Sequence, residues 1–566
     1  MLKVKLPVVL VCFLLLNSNS LLAQQASDTV SIEIDLQQKL GPLKPIWAFF
    51  GYDEPNYTYM KDGRKLLTEI AQLSPVPVYV RVHSLLVSGD GKAALKWGST
   101  NAYTEVATGK PVYDWRVIDS IFDTFISRGM KPIAQIGFMP EALSIKPQPY
   151  RHYWKPGAKY NDIYTGWAYP PRDYKKFATL VFEWVRHSVA RYGKKEVESW
   201  YWELWNEPDI GYWQGTVEEY IKLYDYTADA VKRALPGAKI GGPETTGPAS
   251  GKAAAFLKTF LDHIVKGKNH VTGKVGAPLD LVTFHAKGQP KLVNGVVQMN
   301  MARQLSDIEN GFCIIASYPT LRNLPVIIGE SDPEGCAACS EDFSPQNAYR
   351  NGTMYSSYTA ASFARKHDLA AKYGINLLGA VTWAFEFEDQ PWFAGFRDLA
   401  TNGVNKPVLN IFRMFGLMQG NRVAVNKDLA HNYRSILDAG VRGTKADVNA
   451  FASANDRSAT AMIWNYHDDN IIDVFPAMVR LQIAGIRKGK VRLSQYRVDQ
   501  EFSNAYTVWK KMGSPRAPDV HQIRELERAG QLMLFSSPEW VEVKNGKLTR
   551  DLLLPRQGVS FIQLDW

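Results

Sequence analysis

Between residues 45 and 419, short apolar runs alternate with amphipathic helical segments eight times over, and nothing else in the chain restricts its fold as much. The runs are Pro45–Phe50, Val76–His83, Lys131–Phe138, the Trp-rich stretch from Trp200, Lys239–Gly242, Leu279–His285, Pro325–Glu330 and Leu377–Phe385. The helical segments include Arg64–Leu73, Val117–Arg128, Arg172–Tyr192, Glu218–Leu235, Ala253–Val265, Gln298–Asn310 and Asn347–Tyr373, with Asn410–Gln419 as the eighth. Within Arg172–Tyr192, Phe177, Leu180, Val181, Trp184, Val185 and Val189 recur on one helix face, and Gly193 follows as a stop. Short runs that are apolar throughout need cover on both faces, which a parallel sheet with helical crossovers provides. Eight such units predict an α/β fold, a (β/α)8 TIM barrel over residues 43–419. No GxGxxG follows a strand, which argues against a doubly wound dinucleotide-binding sheet.

The texture changes at residue 420. Ala459–Asn465, Val491–Val498, Gln531–Phe535 and Val559–Leu564 are short strand signals separated by Gly, Pro, Asn and Asp. They predict an accessory C-terminal β-sandwich domain over 420–566. Ser31–Leu36 alternates cleanly, and the segment 24–42 is expected to supply a strand to that domain. Residues 1–23 read as a signal peptide: Lys3 and Lys5, an apolar stretch Val8–Leu16, and a small residue, Ala23, at the cut. The expectation is a secreted or periplasmic protein. No run is long enough to span a membrane. The net charge of +10 is scattered, with no basic run that would bind nucleic acid.

After cleavage three cysteines remain, Cys313, Cys336 and Cys339. An odd number leaves at least one thiol over. Cys336-Ala-Ala-Cys339 fits a local disulfide, a redox pair or half of a metal site; without a second CxxC the zinc reading is weak, and a loop staple is preferred over free thiols.

The chemistry gathers where barrel strands end, because barrel enzymes build their active sites on that rim. Strand two ends in Arg81-Val82-His83, strand four in Asn206-Glu207 before Pro208, strand six in Phe284-His285, strand seven in Gly329-Glu330, and strand eight carries Trp383. Each strand end alone could be a solvated terminus, and His83 or His285 alone a satisfied barrel histidine. Together they put two carboxylates on one mouth, as glycoside hydrolysis requires. Glu207, walled by Trp202, Trp205 and Trp213, is expected to act as the acid, with its pKa raised by desolvation. Glu330 is expected to be held ionised by Arg81 and to act as the nucleophile. The 16 tryptophans suit carbohydrate contact. Glu386, Glu388 and Asp389 read as a solvated loop, with a calcium site as the lesser alternative.

Trp202-Glu203-Leu204-Trp205-Asn206-Glu207-Pro208, Arg81-Val82-His83-Ser84-Leu85-Leu86, Thr283-Phe284-His285 and Lys406-Pro407 resemble glycoside hydrolase family 39, a retaining family of β-xylosidases and α-L-iduronidases. The resemblance implies Glu207 as acid/base and Glu330 as nucleophile, Asn206 on the sugar 2-hydroxyl, His83 and His285 lining the glycone pocket, and Trp383 as its floor; Arg81 and Trp213 complete the substrate-binding candidates. It implies no metal and no cofactor, and an oligosaccharide or polysaccharide substrate. The resulting expectation is a retaining exo-glycosidase, β-xylosidase-like. α-L-Iduronidase, arabinosidase or galactosidase activity, endo cleavage, and a non-catalytic carbohydrate-binding barrel are the alternatives. Two departures bear on the substrate: Val82 stands where the xylosidases read Gly, and Ser331-Asp332-Pro333-Glu334-Gly335-Cys336 does not match their loop. Asp332 and Glu334 either reach the sugar or stiffen that loop.

Overall fold

The computed structural model describes residues 29–427, 431–471 and 476–566. The expected signal segment, residues 1–23, lies outside the described residues. Among the described residues no helix is long and apolar enough to cross a membrane.

Eight parallel strands close into a barrel. They are Phe49–Tyr52, Tyr79–Val82, Lys131–Ile136, Tyr201–Leu204, Lys239–Thr245, Leu281–Phe284, Val326–Ile328, and a last strand in two pieces, Leu377–Ala380 and Thr382–Trp383. The first piece pairs with Val326–Ile328 and the second with Phe49–Tyr52, which closes the ring. The strands have the alternation that a two-faced sheet imposes. Their outward residues meet the helices: Trp202 packs edge-on against Trp184 of the helix Tyr174–Tyr192, ring centroids 5.1 Å apart.

The inward residues form tiers. Phe49, Tyr79, Ile133, Tyr201, Leu281 and Ile327 make an apolar floor, with Phe49 stacked on Tyr79 at 4.9 Å and Tyr79 against Tyr201 at 5.0 Å. One turn of the pleat higher the tier is polar: Arg81 and Glu203 face each other as a fully buried ion pair. Burying such charges is costly unless they are paired, and every charge in this tier has a partner. The rim lies directly above it.

The accessory domain is a single nine-stranded sheet, in the order Met533–Glu542, Lys490–Val498, Val559–Asp565, Ser458–Tyr466, Asp447–Ala454, Asn421–Lys427, Val30–Pro42, Ala477–Ala484, Lys547–Leu554. Val30–Pro42 lies antiparallel to Asn421–Lys427 and parallel to Ala477–Ala484. Aliphatic residues from both halves, among them Ile34, Leu481, Leu493, Leu552 and Leu564, meet in one core, so the sheet folds over on itself. The opposite face of its middle strands, through Phe451, Trp464 and Tyr466, joins the core of the barrel.

Away from the rim, Asp225 binds His263 at 2.9 Å and both the backbone N–H and the ring Nδ1 of His270, at 2.7 and 2.9 Å. The three groups satisfy one another and staple residues 267–276 to the helix Val217–Ala234.

Candidate active site

The fourth strand ends abruptly. Trp205 and Glu207 take left-handed backbone angles, φ 68° and 44°, a strained choice for residues with side chains. This break in the alternation turns Asn206 and Glu207 from the wall of the barrel into its mouth. The Glu207 N–H is anchored on the carbonyl of Glu244, 2.8 Å away.

The rim brings the two predicted carboxylates together. Single oxygens of Glu207 and Glu330, with Nδ1 of His285 between them, lie within 4.8 Å of one another. His285 Nδ1 is 2.9 Å from Glu207 Oε1 and 3.9 Å from Glu330 Oε1. Both carboxylates keep a window to solvent, their side chains 15% and 7% exposed. His83, His285, Asn206, Arg81 and Trp383 are all at this mouth. Arg81 lies below, with Nη1 3.0 Å from His83 Nε2 and 3.5 Å from Glu330 Oε1, and Nη2 3.1 Å from Asn206 Oδ1. Its guanidinium also lies over the Trp383 ring, 4.9 Å from the centroid. That ring lies so close to the first strand that a Cβ on Gly51 would come within 2.4 Å of it, so only glycine fits there.

Three expectations change. Trp202 points outward and does not wall Glu207, because strand parity sends Glu203, not Trp202, into the barrel. Trp213 is buried behind Trp205, edge-on at 5.0 Å, with Nε1 donating to the Thr216 carbonyl. The cluster after strand eight is not uniformly solvated: Glu386 is buried, accepts from the Gly403 N–H, and is pushed by burial up to about 8. The loop after Glu330 is braced. Asp332 accepts from the Trp383 N–H at 2.7 Å and from the Tyr355 hydroxyl at 3.1 Å, and Glu334 pairs with Arg350 and Arg397. Cys336 and Cys339 form a disulfide, and Cys313 is free.

Glu330 has a cation that the strand ends do not announce. Lys287 Nζ is 2.5 Å from Glu330 Oε2. Burial opposes ionisation of Glu330, but Lys287 and then His285 outweigh it and hold the carboxyl down at about 2. Lys287, rather than Arg81, is therefore its main counter-charge. The signal in the sequence is the spacing: Lys287 follows His285 by two residues. Asp53, just past the first strand, is the other residue the strand-end rule passes over. It accepts from Trp383 Nε1 at 3.0 Å, faces His83 Nδ1 at 3.2 Å and pairs with buried Lys96. His83 is lowered by burial to about 4 and is neutral, with Nδ1 toward Asp53 and Nε2 toward Arg81.

Beside the pair, a pocket is lined by Asp53, His83, Lys96, Phe138, Trp167 and Tyr212. Much of its wall comes from the connection 137–173, which carries Phe138, His152, Ile163 and Trp167. Acidic and imidazole groups meet here, but Lys287 and Lys96 neutralise Glu330 and Asp53. His285 is raised to about 9 by its carboxylate neighbours against the pull of burial.

A (β/α)8 barrel with two facing carboxylates and an aromatic cavity at its rim defines a glycoside hydrolase. The chain belongs to Glycosyl hydrolases family 39, whose sequence profile matches residues 30–534. It is 27% identical over 456 residues to a beta-xylosidase of Caldicellulosiruptor saccharolyticus, covering 78% of this chain and 82% of that one. It is 24% identical over 380 residues to the alpha-L-iduronidase of Mus musculus, covering 61% of this chain and 56% of that one. In structure it resembles a monomeric beta-xylosidase from Caulobacter crescentus CB15, with a TM-score of 0.72 and 22% identity, covering 94% and 99% of the two chains.

Proposed function

We propose that the protein is an exported, retaining exo-glycosidase that works by double displacement. The observation carrying this reading is that single oxygens of Glu207 and Glu330 lie within 4.8 Å of one another. Retaining enzymes hold the two groups about 5–5.5 Å apart, and inverting enzymes leave about 6.5–9.5 Å for a water. Glu330, ionised by Lys287, attacks the anomeric carbon. Glu207 gives its proton to the leaving oxygen and then takes one from the water that releases the sugar. The Asn206 Oδ1 is engaged by Arg81, which leaves its Nδ2 to donate to the sugar 2-hydroxyl. Neutral His83, charged His285 and Trp383 shape the glycone side. Lys96, Trp167 and Tyr212 wall the mouth on one side, which favours a terminal sugar over an internal one.

The beta-xylosidase relatives favour a terminal xyloside as substrate. A second reading has its own observation: the Lys287 ammonium faces the reacting centre, where a sugar bearing a carboxylate, a terminal uronic acid, would give it a second partner. Nitrophenyl xyloside, arabinoside, galactoside and uronides assayed side by side, with NMR of the first-formed anomer, test both readings. Release of the retained anomer from the xyloside supports the first, and preference for a uronide the second. An inverted anomer overturns the retaining mechanism.

A further inference from the structure

One buried carboxylate lies beneath the catalytic pair and no step above uses it. Glu244 is the next-to-last residue of the fifth barrel strand, has a left-handed φ of 55° and is fully buried. Its Oε2 is 2.7 Å from His285 Nε2, a close ion pair outside hydrogen-bond geometry, while Nδ1 of the same ring is the hydrogen-bond partner of Glu207. We propose that Glu244 is a positioning residue for the acid/base: from below the rim it keeps His285 doubly protonated and aimed, so that Glu207 always faces an imidazolium N–H.

Several independent features hold the carboxylate in place. Its backbone carbonyl receives the Glu207 N–H at 2.8 Å, and its own N–H donates to Thr283 Oγ1 at 3.2 Å. The His285 N–H is tied to the neighbouring Thr245 carbonyl, also at 2.8 Å. A Cβ on Gly329, the residue before Glu330, would fall 1.9 Å from Glu244 Oε2, so the nucleophile's strand leaves room for this side chain only because it carries glycine there. Arg81 Nη2 lies 3.7 Å away and Glu203 lies beside it. Burial works against ionising either acid. Arg81, His285 and Glu203 together hold Glu244 below the ordinary carboxylate range, whereas Glu203, facing the charge of Glu244, is raised.

His285 is thus surrounded by Glu244 from strand five, Glu207 from strand four and Glu330 from strand seven, with Arg81 from strand two and Lys287 from its own loop as the nearby cations and the neutral His83 facing Glu330. Burial alone would drive it neutral. Without the Glu244 charge the ring loses the partner on Nε2, and Nδ1 is free to accept a hydrogen bond from protonated Glu207 instead of donating one, which favours the protonated acid.

The inference rests on the acid/base reading of Glu207, and the experiment has two arms so that the two can fail separately. In Glu244→Gln, kcat/KM of an aryl glycoside is followed against pH beside the parent and Glu244→Asp. The alkaline limb should move up by about one pH unit in the Gln variant and stay near the parent in Glu244→Asp. In the second arm, 15N NMR of the imidazoles follows His285 directly. It should carry both protons at pH 7 in the parent and lose one in Glu244→Gln, whatever Glu207 does. A Gln variant that folds, as judged by its circular dichroism, with His285 still doubly protonated overturns the inference. A neutral His285 with an unmoved limb retains the coupling to Glu244 and overturns the role of Glu207. If Glu244→Gln does not fold, a parent His285 already neutral at pH 7 overturns the inference on its own.

Discussion

The two sides of the catalytic mouth solve opposite problems. On the Glu330 side the partners are cations: Lys287 at 2.5 Å, Arg81 at 3.5 Å and His285 at 3.9 Å. On the Glu207 side the surroundings are rings, with His285 as the sole hydrogen-bond partner among the described contacts of its carboxylate and Tyr160, Tyr164 and Tyr212 around it. A nucleophile must be ionised whatever the pH, and a cluster of cations ensures that. An acid/base must be able to hold a proton and lose it within one turnover, and a single imidazolium contact in place of a cluster of cations leaves that exchange open. The same barrel rim supplies both environments because they come from different strands.

The largest effect expected from breaking this asymmetry is that of Glu330→Gln. It removes the attacking group, and kcat on nitrophenyl glycosides should fall by roughly 10⁴-fold or more, whatever the leaving group. Glu207→Gln should instead discriminate: a loss of roughly 10²–10⁴-fold with alcohol leaving groups, and a much smaller one with dinitrophenolate, which needs no proton. Equal losses on both substrates would contradict the division of labour.

Lys287→Met sharpens the cationic side. Without the ammonium the Glu330 carboxyl should rise from about 2 toward the usual carboxylate range, and the acid limb of kcat/KM should move up with it. If the uronide reading holds, KM for a uronide should rise more than KM for a xyloside. His285 gives a stability test. Its folded value of about 9 lies above the 6.5 of a free imidazole, so its contribution is complete below about 6.5 and is lost as pH rises through 9. Thermal melts should therefore fall between pH 6.5 and 9, and less so in Glu244→Gln. The smallest effect belongs to the brace on the Glu330 side. Cys336→Ser opens a disulfide that closes only a very short loop, worth about 2 kcal/mol on the chain-entropy scale. Arg350 still binds the carbonyls of Cys336 and Cys339, at 3.1 and 3.0 Å, so activity should be nearly intact while the melting temperature drops slightly.

The sequence shows most of this architecture because barrel strands and their helices are long-range repeats of a short-range pattern. Arg81, His83, Asn206, Glu207, His285, Glu330 and Trp383 are all found by asking what ends each strand, and all seven lie at one mouth. The rest depends on geometry that a strand-end rule does not carry. Trp202 reads as part of the wall only until parity is applied: the residue beside Glu203 must face the helices. Glu244 stands in Gly241-Gly242-Pro243-Glu244, which reads as a turn; the strand in fact runs on to Thr245. Lys287 and Asp53 lie on loops, and their charges count because of residues far away in the chain. In the accessory domain, Asp447–Ala454 escapes notice because its alanines carry little strand preference, and it is held by full-length pairing with Ser458–Tyr466.

The account depends on Glu330 forming a bond to the sugar while Glu207 manages the proton, and a trapping experiment addresses that directly. Glu207→Ala enzyme is mixed with a dinitrophenyl glycoside that the parent hydrolyses, quenched in acid, digested and analysed by mass spectrometry. The predicted result is one glycosyl adduct on the peptide containing Glu330, because attack proceeds with this leaving group while release stalls without the base. An adduct on a different carboxylate, or no adduct together with an inverted sugar as the first product of the parent enzyme, would contradict it.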